Sequence, residues 1–238
     1  MSEEYNSEVS THYAAYRPPI HRQILAKVLP SDIVFPTGLD IGCGTGVSTQ
    51  ALSDYCQQVV GIDPSEAMLA QATSCASLSY KLGDGESIPQ HNDSIDIVTF
   101  AGSLYYAKSD LLVQELLRVC RQNALVVAYD FEVQLSGFMQ QIGVNTSVDF
   151  SQYNHAENFT GFSELHEVKV HQGQLCLSVS SEQLAHVLFS SLRRYKALTE
   201  MFGVKNTFTV VVNLLNQISA EHKIMVDIYY STYQISRV

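Results

Sequence analysis

The sequence predicts an α/β fold in which a mostly parallel sheet is covered by helices on both faces. Two observations carry that prediction. Short, uninterrupted apolar runs at about residues 37–41, 58–62, 79–82, 94–101 and 123–131 alternate with stretches of helical spacing. A glycine-rich turn, Asp40-Ile41-Gly42-Cys43-Gly44-Thr45-Gly46, closes the first of these runs. Strands that are apolar on both sides belong in sheets buried on both faces, and those sheets are predominantly parallel.

The elements follow in order. Residues 18–30 read as a helix, with Ile20, Ile24, Leu25, Val28 and Leu29 on one stripe and Pro30 as its stop. After the glycine turn a helix runs to about Tyr55, and a second strand, 58–62, ends in Asp63-Pro64. Ser65 is a good N-cap for a helix over 65–75. The third strand leads into Gly83-Asp84-Gly85-Glu86, the fourth spans about 94–101, an amphipathic helix covers 108–121, and the fifth strand follows. Residues 132–158 read as a possible cap insertion. Beyond it the pattern predicts strands at 164–170 and 174–180, a long helix over 181–200, another over 207–219, and a closing strand, 224–235. No linker composition divides the chain, so one domain over 1–238 is expected. Its parts are N-terminal lid helices (1–30), a binding core (34–131), the cap, and closing helices and strands (159–238).

Composition narrows the function classes. The chain has 238 residues, a net charge of −10 and five cysteines, none in a C-x-x-C pair. A uniformly acidic surface repels phosphate backbones and disfavours nucleic-acid partners. Scattered thiols suit a reducing compartment better than a zinc site or disulfide framework. The opening lacks a basic and apolar leader, and no apolar run approaches membrane-spanning length, so a cytoplasmic protein is expected with no membrane partner and no metal. Monomer and dimer both remain open.

In open α/β sheets, ligands sit at the carboxyl ends of strands where the strand order reverses. A glycine turn there lets the backbone approach a ligand closely. Asp63, at the end of the second strand, can accept both hydroxyls of a ribose. Nicotinamide cofactors and S-adenosylmethionine (SAM) share these features, but three details separate them. Val47 stands where the dinucleotide pattern G-x-G-x-x-G/A needs glycine or alanine. Asp40 precedes the glycines, where an acid can hold the methionine ammonium group. The Gly83–Glu86 turn can hydrogen-bond an adenine.

DIGCGTG, VVGIDPSEAML, GDGESIP and DIVTFAGSLYY resemble, in order and spacing, the successive motifs of class I SAM-dependent methyltransferases. The resemblance implies a Rossmann-like, doubly wound, seven-stranded sheet whose last strand is inserted antiparallel beside the sixth. It places Gly42, Gly44 and Gly46 against the methionine part, Asp63 on the ribose diol, and Asp84 with Gly85 around the adenine. Residues 101–104 would line the methionine and its methyl. The implied cofactor-binding set also takes in Asp40, Cys43, Pro64, Met68, Glu86, Ala101, Ser103 and Tyr16. A looser similarity joins THYAAYRPPIHRQI and the carboxyl-terminal order to the trans-aconitate methyltransferase-like subgroup. Where that subgroup commonly shows His-Trp, this chain has Tyr105-Tyr106.

The expected activity is methyl transfer from SAM to a small-molecule acceptor, on a carboxylate or hydroxyl oxygen, leaving S-adenosylhomocysteine. A carboxylate acceptor needs no base, whereas a hydroxyl does. Tyr105, Tyr106 and Arg17 are the candidates for positioning the acceptor, with Tyr13, Tyr16 and Arg17 in a lid. Arg17 pairs a substrate carboxylate or is a surface arginine. One of the two tyrosines faces the acceptor, and the other is packing. Arg193, Arg194 and Lys196 line a solvated helix face or reach the substrate mouth. His155 is the one histidine to consider as a base. Cys43 is a packing residue rather than a nucleophile. RNA or protein methylation, and a non-catalytic SAM-binding regulator, are the alternatives.

Overall fold

Seven strands form one sheet in the order β3-β2-β1-β4-β5-β7-β6, mostly parallel with the last strands antiparallel. They are β1 (Phe35–Ile41), β2 (Cys56–Asp63), β3 (Leu78–Leu82), β4 (Ile95–Ala101), β5 (Cys120–Val133), β6 (Leu165–Ser180) and β7 (Glu221–Ile235). The computed structural model describes residues 7–145 and 153–236. The chain divides into two compact units. A sheet unit comprises residues 19–131, 153–173 and 228–238, and a helical unit comprises 1–18, 132–152 and 174–227.

Parallel pairing joins β1 to both β2 and β4, β2 to β3, and β4 to β5. The chain moves outward from β1 through β2 to β3, then returns to the other side of β1 with β4. That reversal creates the crevice at the carboxyl ends of β1 and β4. Register sets Asp40 beside Gly61 on one side and Thr99 on the other.

Around the sheet unit run α2 (Ile20–Val28), α3 (Val47–Leu52), α4 (Glu66–Leu69), α5 (Leu104–Ala107) and α6 (Asp110–Val119). Helix α6 shows why such a sequence folds this way. Ser109 caps it by accepting the Leu112 amide, Asp110 opens it, and Leu112, Val113, Leu116 and Val119 bury one stripe. They join Leu39, Ile41, Ile62, Val98, Phe100 and Val126 in one core. On the polar side Arg118 bonds Glu115 and the carbonyls of Ile88 and Gln90, pinning the loop before β4.

Among the elements of this unit that differ from the expected bounds, two have a cause visible in their hydrogen bonds. The helix expected over 65–75 ends at Leu69, because tight turn bonds from Gln71 and Ala72 to Met68 and Leu69 replace helical ones in an exposed Ala-Thr-Ser stretch. Strand β5 begins at Cys120, three residues early, through a register irregularity that pairs Ile95 with Cys120. Further on, residues 165–180 make one strand rather than two, although the boundary between units falls at Gly173, where the break is expected.

The helical unit contains α1 (Ser7–Ala15), α7 (Ser136–Gln141), α8 (Ser181–Phe189), α9 (Leu192–Phe202) and α10 (Thr207–Ile218). Ser180 and Gln183 make a capping box at the start of α8. The single helix expected over 181–200 breaks at Ser190-Ser191. Arg194 turns back to donate to the carbonyls of Val187 (3.1 Å) and Leu188 (3.0 Å), satisfying the end of α8. That contact gives Arg194 a capping role in place of the two readings of the arginine pair. Part of the expected cap, residues 146–152, lies outside the described residues, as does the side chain of Tyr13. Among the described residues, no helix is long and apolar enough to cross a membrane.

His12 and His186 share a hydrogen bond between their Nδ1 atoms (2.9 Å), packed among Phe189 and Phe208. One ring must donate and the other accept, and burial holds both below the usual histidine pKa. The unfolded chain therefore takes up protons that the folded pair refuses. This contribution is fully present above about pH 6.5 and is lost as pH falls through the lowered folded values. Melting temperature should fall between neutral and mildly acidic pH, and His186→Phe should shrink that fall. An unchanged pH dependence in the variant would rule the pair out as its source.

Candidate functional site

Gly42, Gly44 and Gly46 all adopt positive φ, at 72°, 53° and 83°. Such a turn is closed to most residues with a Cβ. The amides of Gly42 and Cys43 donate to the Ile62 carbonyl at 2.8 and 3.0 Å, fastening the turn to β2. A Cβ at Gly42 would stand 2.4 Å from Ser103 Cβ, and one at Gly46 would stand 2.4 Å from Tyr80 Oη. Nothing lies within 4 Å of the same position on Gly44. Two of the glycines thus let neighbouring elements close in, while the third leaves an approach to bare backbone.

Asp40 is expected to meet a ligand's ammonium group directly, and the geometry is different. It has 0% exposure. Its Oδ2 accepts Ser48 Oγ (2.6 Å) and Thr49 Oγ1 (2.8 Å), and its Oδ1 accepts Thr99 Oγ1 (2.8 Å). Burial pushes its pKa up, and the three hydroxyls oppose that shift. Asp40 therefore ties β1, α3 and β4 together beneath the turn.

Asp63 is placed differently, at the end of β2 with 8% exposure. Its Oδ2 accepts the Gly44 amide and its Oδ1 the Ser65 amide, both at 2.8 Å. Each oxygen keeps a second lone pair for a hydroxyl donor. Pro64 is exposed and Met68 half-buried beside it. Exposed Asp84 accepts the amides of Glu86 (3.0 Å) and Ser87 (2.9 Å), and Glu86 is likewise exposed. Gly85 is buried, where a Cβ would stand 2.8 Å from Leu112 Cδ1. The Cys43 thiol is pushed up to about 12 by burial and by the nearby Asp40 and Asp63 carboxylates. It stays protonated at neutral pH and is no nucleophile.

At the end of β4, half-buried Ala101 leads to Gly102 and to Ser103, whose Oγ donates to the Ile41 carbonyl at 2.5 Å. Tyr105 and Tyr106, 40% and 78% exposed, pack with Tyr153 in a three-ring cluster with centroid separations of 4.7–5.6 Å.

A family model described as a methyltransferase domain matches residues 39–128, which hold all of these groups except Tyr153. The motif order and the strand order agree with that match. These residues form a class I SAM-dependent methyltransferase domain.

The methyltransferase domain has relatives with the same assignment. Probable S-adenosylmethionine-dependent methyltransferase CRG1 of Saccharomyces cerevisiae is 30% identical over 138 residues, covering 52% of this chain and 46% of that protein. The chain spans about half the length of the curated relatives it matches. Among solved structures, a protein of Anaeromyxobacter dehalogenans assigned as a type II methyltransferase superposes with a TM-score of 0.67. It is 17% identical, over 94% of this chain and 98% of its own. Geranyl diphosphate methyltransferase in complex with SAM shares the fold with a TM-score of 0.52 at 14% identity, over 99% of this chain and 93% of its own.

The sheet unit thus gathers every expected binding residue except Tyr16, together with Tyr105 and Tyr106. Tyr16 and Arg17 belong to the helical unit, both half-buried, and burial raises the Tyr16 hydroxyl pKa. Sequence reasoning passed over Asp130, at the end of the fifth apolar run. The rule that singled out Asp40 and Asp63, an acid where a buried strand stops, was available there too.

Asp40→Ala would strand three buried hydroxyls, and each lost partner carries a desolvation cost. The expected loss is on the order of 3 kcal/mol of stability, read by denaturant unfolding. A loss below about 1 kcal/mol would show that Asp40 does not hold the three elements together.

Proposed function

We propose that the chain transfers a methyl group from SAM to a small-molecule acceptor, in a cytoplasmic setting. The observation that carries this reading is the left-handed glycine turn, open at Gly44 and bonded to Asp63, inside the matched methyltransferase segment. An adenosyl group with a ribose diol fits an acid at this strand end. The second acidic turn, Asp84 to Glu86, suits the adenine edge.

Each residue then has a task. Gly42 and Gly46 let β4 and β3 close on the turn, and Gly44 leaves backbone for the methionine part. Asp63 takes the ribose hydroxyls, Pro64 and Met68 flank the ribose and adenine, and Asp84 with Gly85 and Glu86 borders the base. Ala101 and Ser103 line the methionine side. Asp40 positions the turn from below instead of touching the ligand, and Cys43 packs. One of Tyr105 and Tyr106 faces the acceptor, and the other packs.

SAM supplies a methyl group already activated by its sulfonium, so the chain's work is to orient, to desolvate and, for a protonated acceptor, to take a proton. The net charge of −10 supports a small molecule over nucleic acid.

The test is transfer from methyl-labelled SAM into a cell extract split into small-molecule, RNA and protein fractions. Label in the small-molecule fraction is expected, and label only in RNA or protein would contradict the acceptor class. Asp63→Ala should weaken SAM binding by about 1–3 kcal/mol in calorimetry, through loss of a charged acceptor. Unaltered affinity would remove Asp63 from the ribose site.

A further inference from the structure

Three side chains, one from β5 and two from the last part of the expected cap, meet beside Gly102. Asp130 Oδ1 accepts the Phe131 amide (2.7 Å), and its Oδ2 lies 2.8 Å from Tyr153 Oη and 3.0 Å from His155 Nδ1. Tyr153 Oη is also 2.9 Å from the Gly102 carbonyl. A carboxylate accepts only, so His155 donates from Nδ1, and in the neutral ring Nε2 carries the lone pair. Among the described residues, no hydrogen bond engages that nitrogen. The imidazole plane is fixed as well, by stacking on Tyr229 (17° between planes) and edge contact with Tyr153.

His155 lines two adjoining cavities. Gly102, Tyr105, Asp130, Tyr153 and Glu157 help form the first, which abuts the segment expected to border the methyl group. In the second, Ser231 contributes a buried Oγ with no hydrogen-bond partner. Buried hydroxyls are normally paired, so this one is poised to meet a polar group of a bound molecule. The described lining of the two cavities includes Asp130 and Glu157 but neither lysine nor arginine. Lys108 approaches from outside and is spent on Glu157 at 2.7 Å. A carboxylate acceptor would meet two like charges here, whereas an uncharged one meets aromatic rings and hydrogen-bonding groups.

We infer that His155, oriented by Asp130, is the general base of the transfer, and that the acceptor is an uncharged small molecule whose attacking hydroxyl or free-base amine carries a proton. The inference rests on the methyl-transfer reading above. As the acceptor's lone pair bonds to the methyl carbon, the sulfur–methyl bond breaks and its electron pair returns to sulfur, cancelling the sulfonium charge. The acceptor's proton passes to His155 Nε2, the resulting imidazolium is stabilised by Asp130, and solvent then takes the proton. His155 is the catalytic residue, and Asp130 and Tyr153 are positioning residues.

The experiment pairs labelled transfer with a spectroscopic reading of the ring. Wild type, His155→Gln and Asp130→Asn are each supplied with methyl-labelled SAM and the small-molecule fraction of an extract. Product label is tested for alkali lability, and SAM affinity is measured by calorimetry. The expected label is alkali-stable and falls at least about 100-fold in His155→Gln. SAM affinity in that variant should stay within about twofold of wild type, less than the tenfold that 1.4 kcal/mol would produce. Nitrogen-15 histidine spectra of the protein alone should show His155 protonated on Nδ1, and Asp130→Asn should disturb that tautomer. Alkali-labile label, full transfer by His155→Gln, or an Nε2-protonated ring would overturn the base assignment and leave methyl transfer standing. No label in that fraction with wild type, with SAM bound, would overturn both.

Discussion

Asp40 stands at the carboxyl end of β1 with no exposed surface, and three hydroxyls from α3 and β4 take both of its oxygens. A buried carboxylate without partners would be costly, and one with three donors becomes a knot instead. Ser48 and Thr49 fix the start of α3 against β1, and Thr99 fixes β4 to the same point. The glycine turn runs directly above, between Asp40 and Val47. Because its ends are held this way, the turn can keep three residues at positive φ and still present one face of bare backbone at Gly44.

The crevice built on that knot divides its acids by role. Asp40 is sealed and structural, Asp63 is almost buried yet retains lone pairs, and Asp84 is exposed in a turn of its own. Further along the strand ends, Asp130 gathers Tyr153 and His155. These carboxylates thus occupy four different settings along one edge, set by burial and by which donors each holds. Buried acids need donors, and where the protein supplies fewer than the acid can accept, a ligand or a histidine completes the set.

Much of this was legible in the sequence. Uninterrupted apolar runs located β1 to β5, since strands buried on both faces leave that trace. The glycine spacing located the left-handed turn, and Asp63 the acid bonded to it. What escaped depended on contacts distant in sequence. Ser48 and Thr49 lie eight and nine positions after Asp40, but Thr99 is 59 positions away, and no local pattern announces that pairing. Asp130 satisfies the strand-end rule, but its partners Tyr153 and His155 lie 23 and 25 positions on. Ser190-Ser191 reads as tolerable within a helix, and the break there is stabilised by Arg194, whose role is visible only once the chain has turned back. The short α4 escaped for the opposite reason, because helical spacing continued where no partner surface rewarded it.

The central claim is that the turn above Asp40 receives SAM and not a nicotinamide dinucleotide. Thermal melting with each ligand tests this most directly, since a ligand that binds only the native state stabilises it. At a hundredfold excess over its dissociation constant, SAM should add about 2.7 kcal/mol of stability. For a chain of this size that corresponds to a rise of roughly 5–10 °C. NAD should leave the transition where it is. A rise with NAD and none with SAM would contradict the claim.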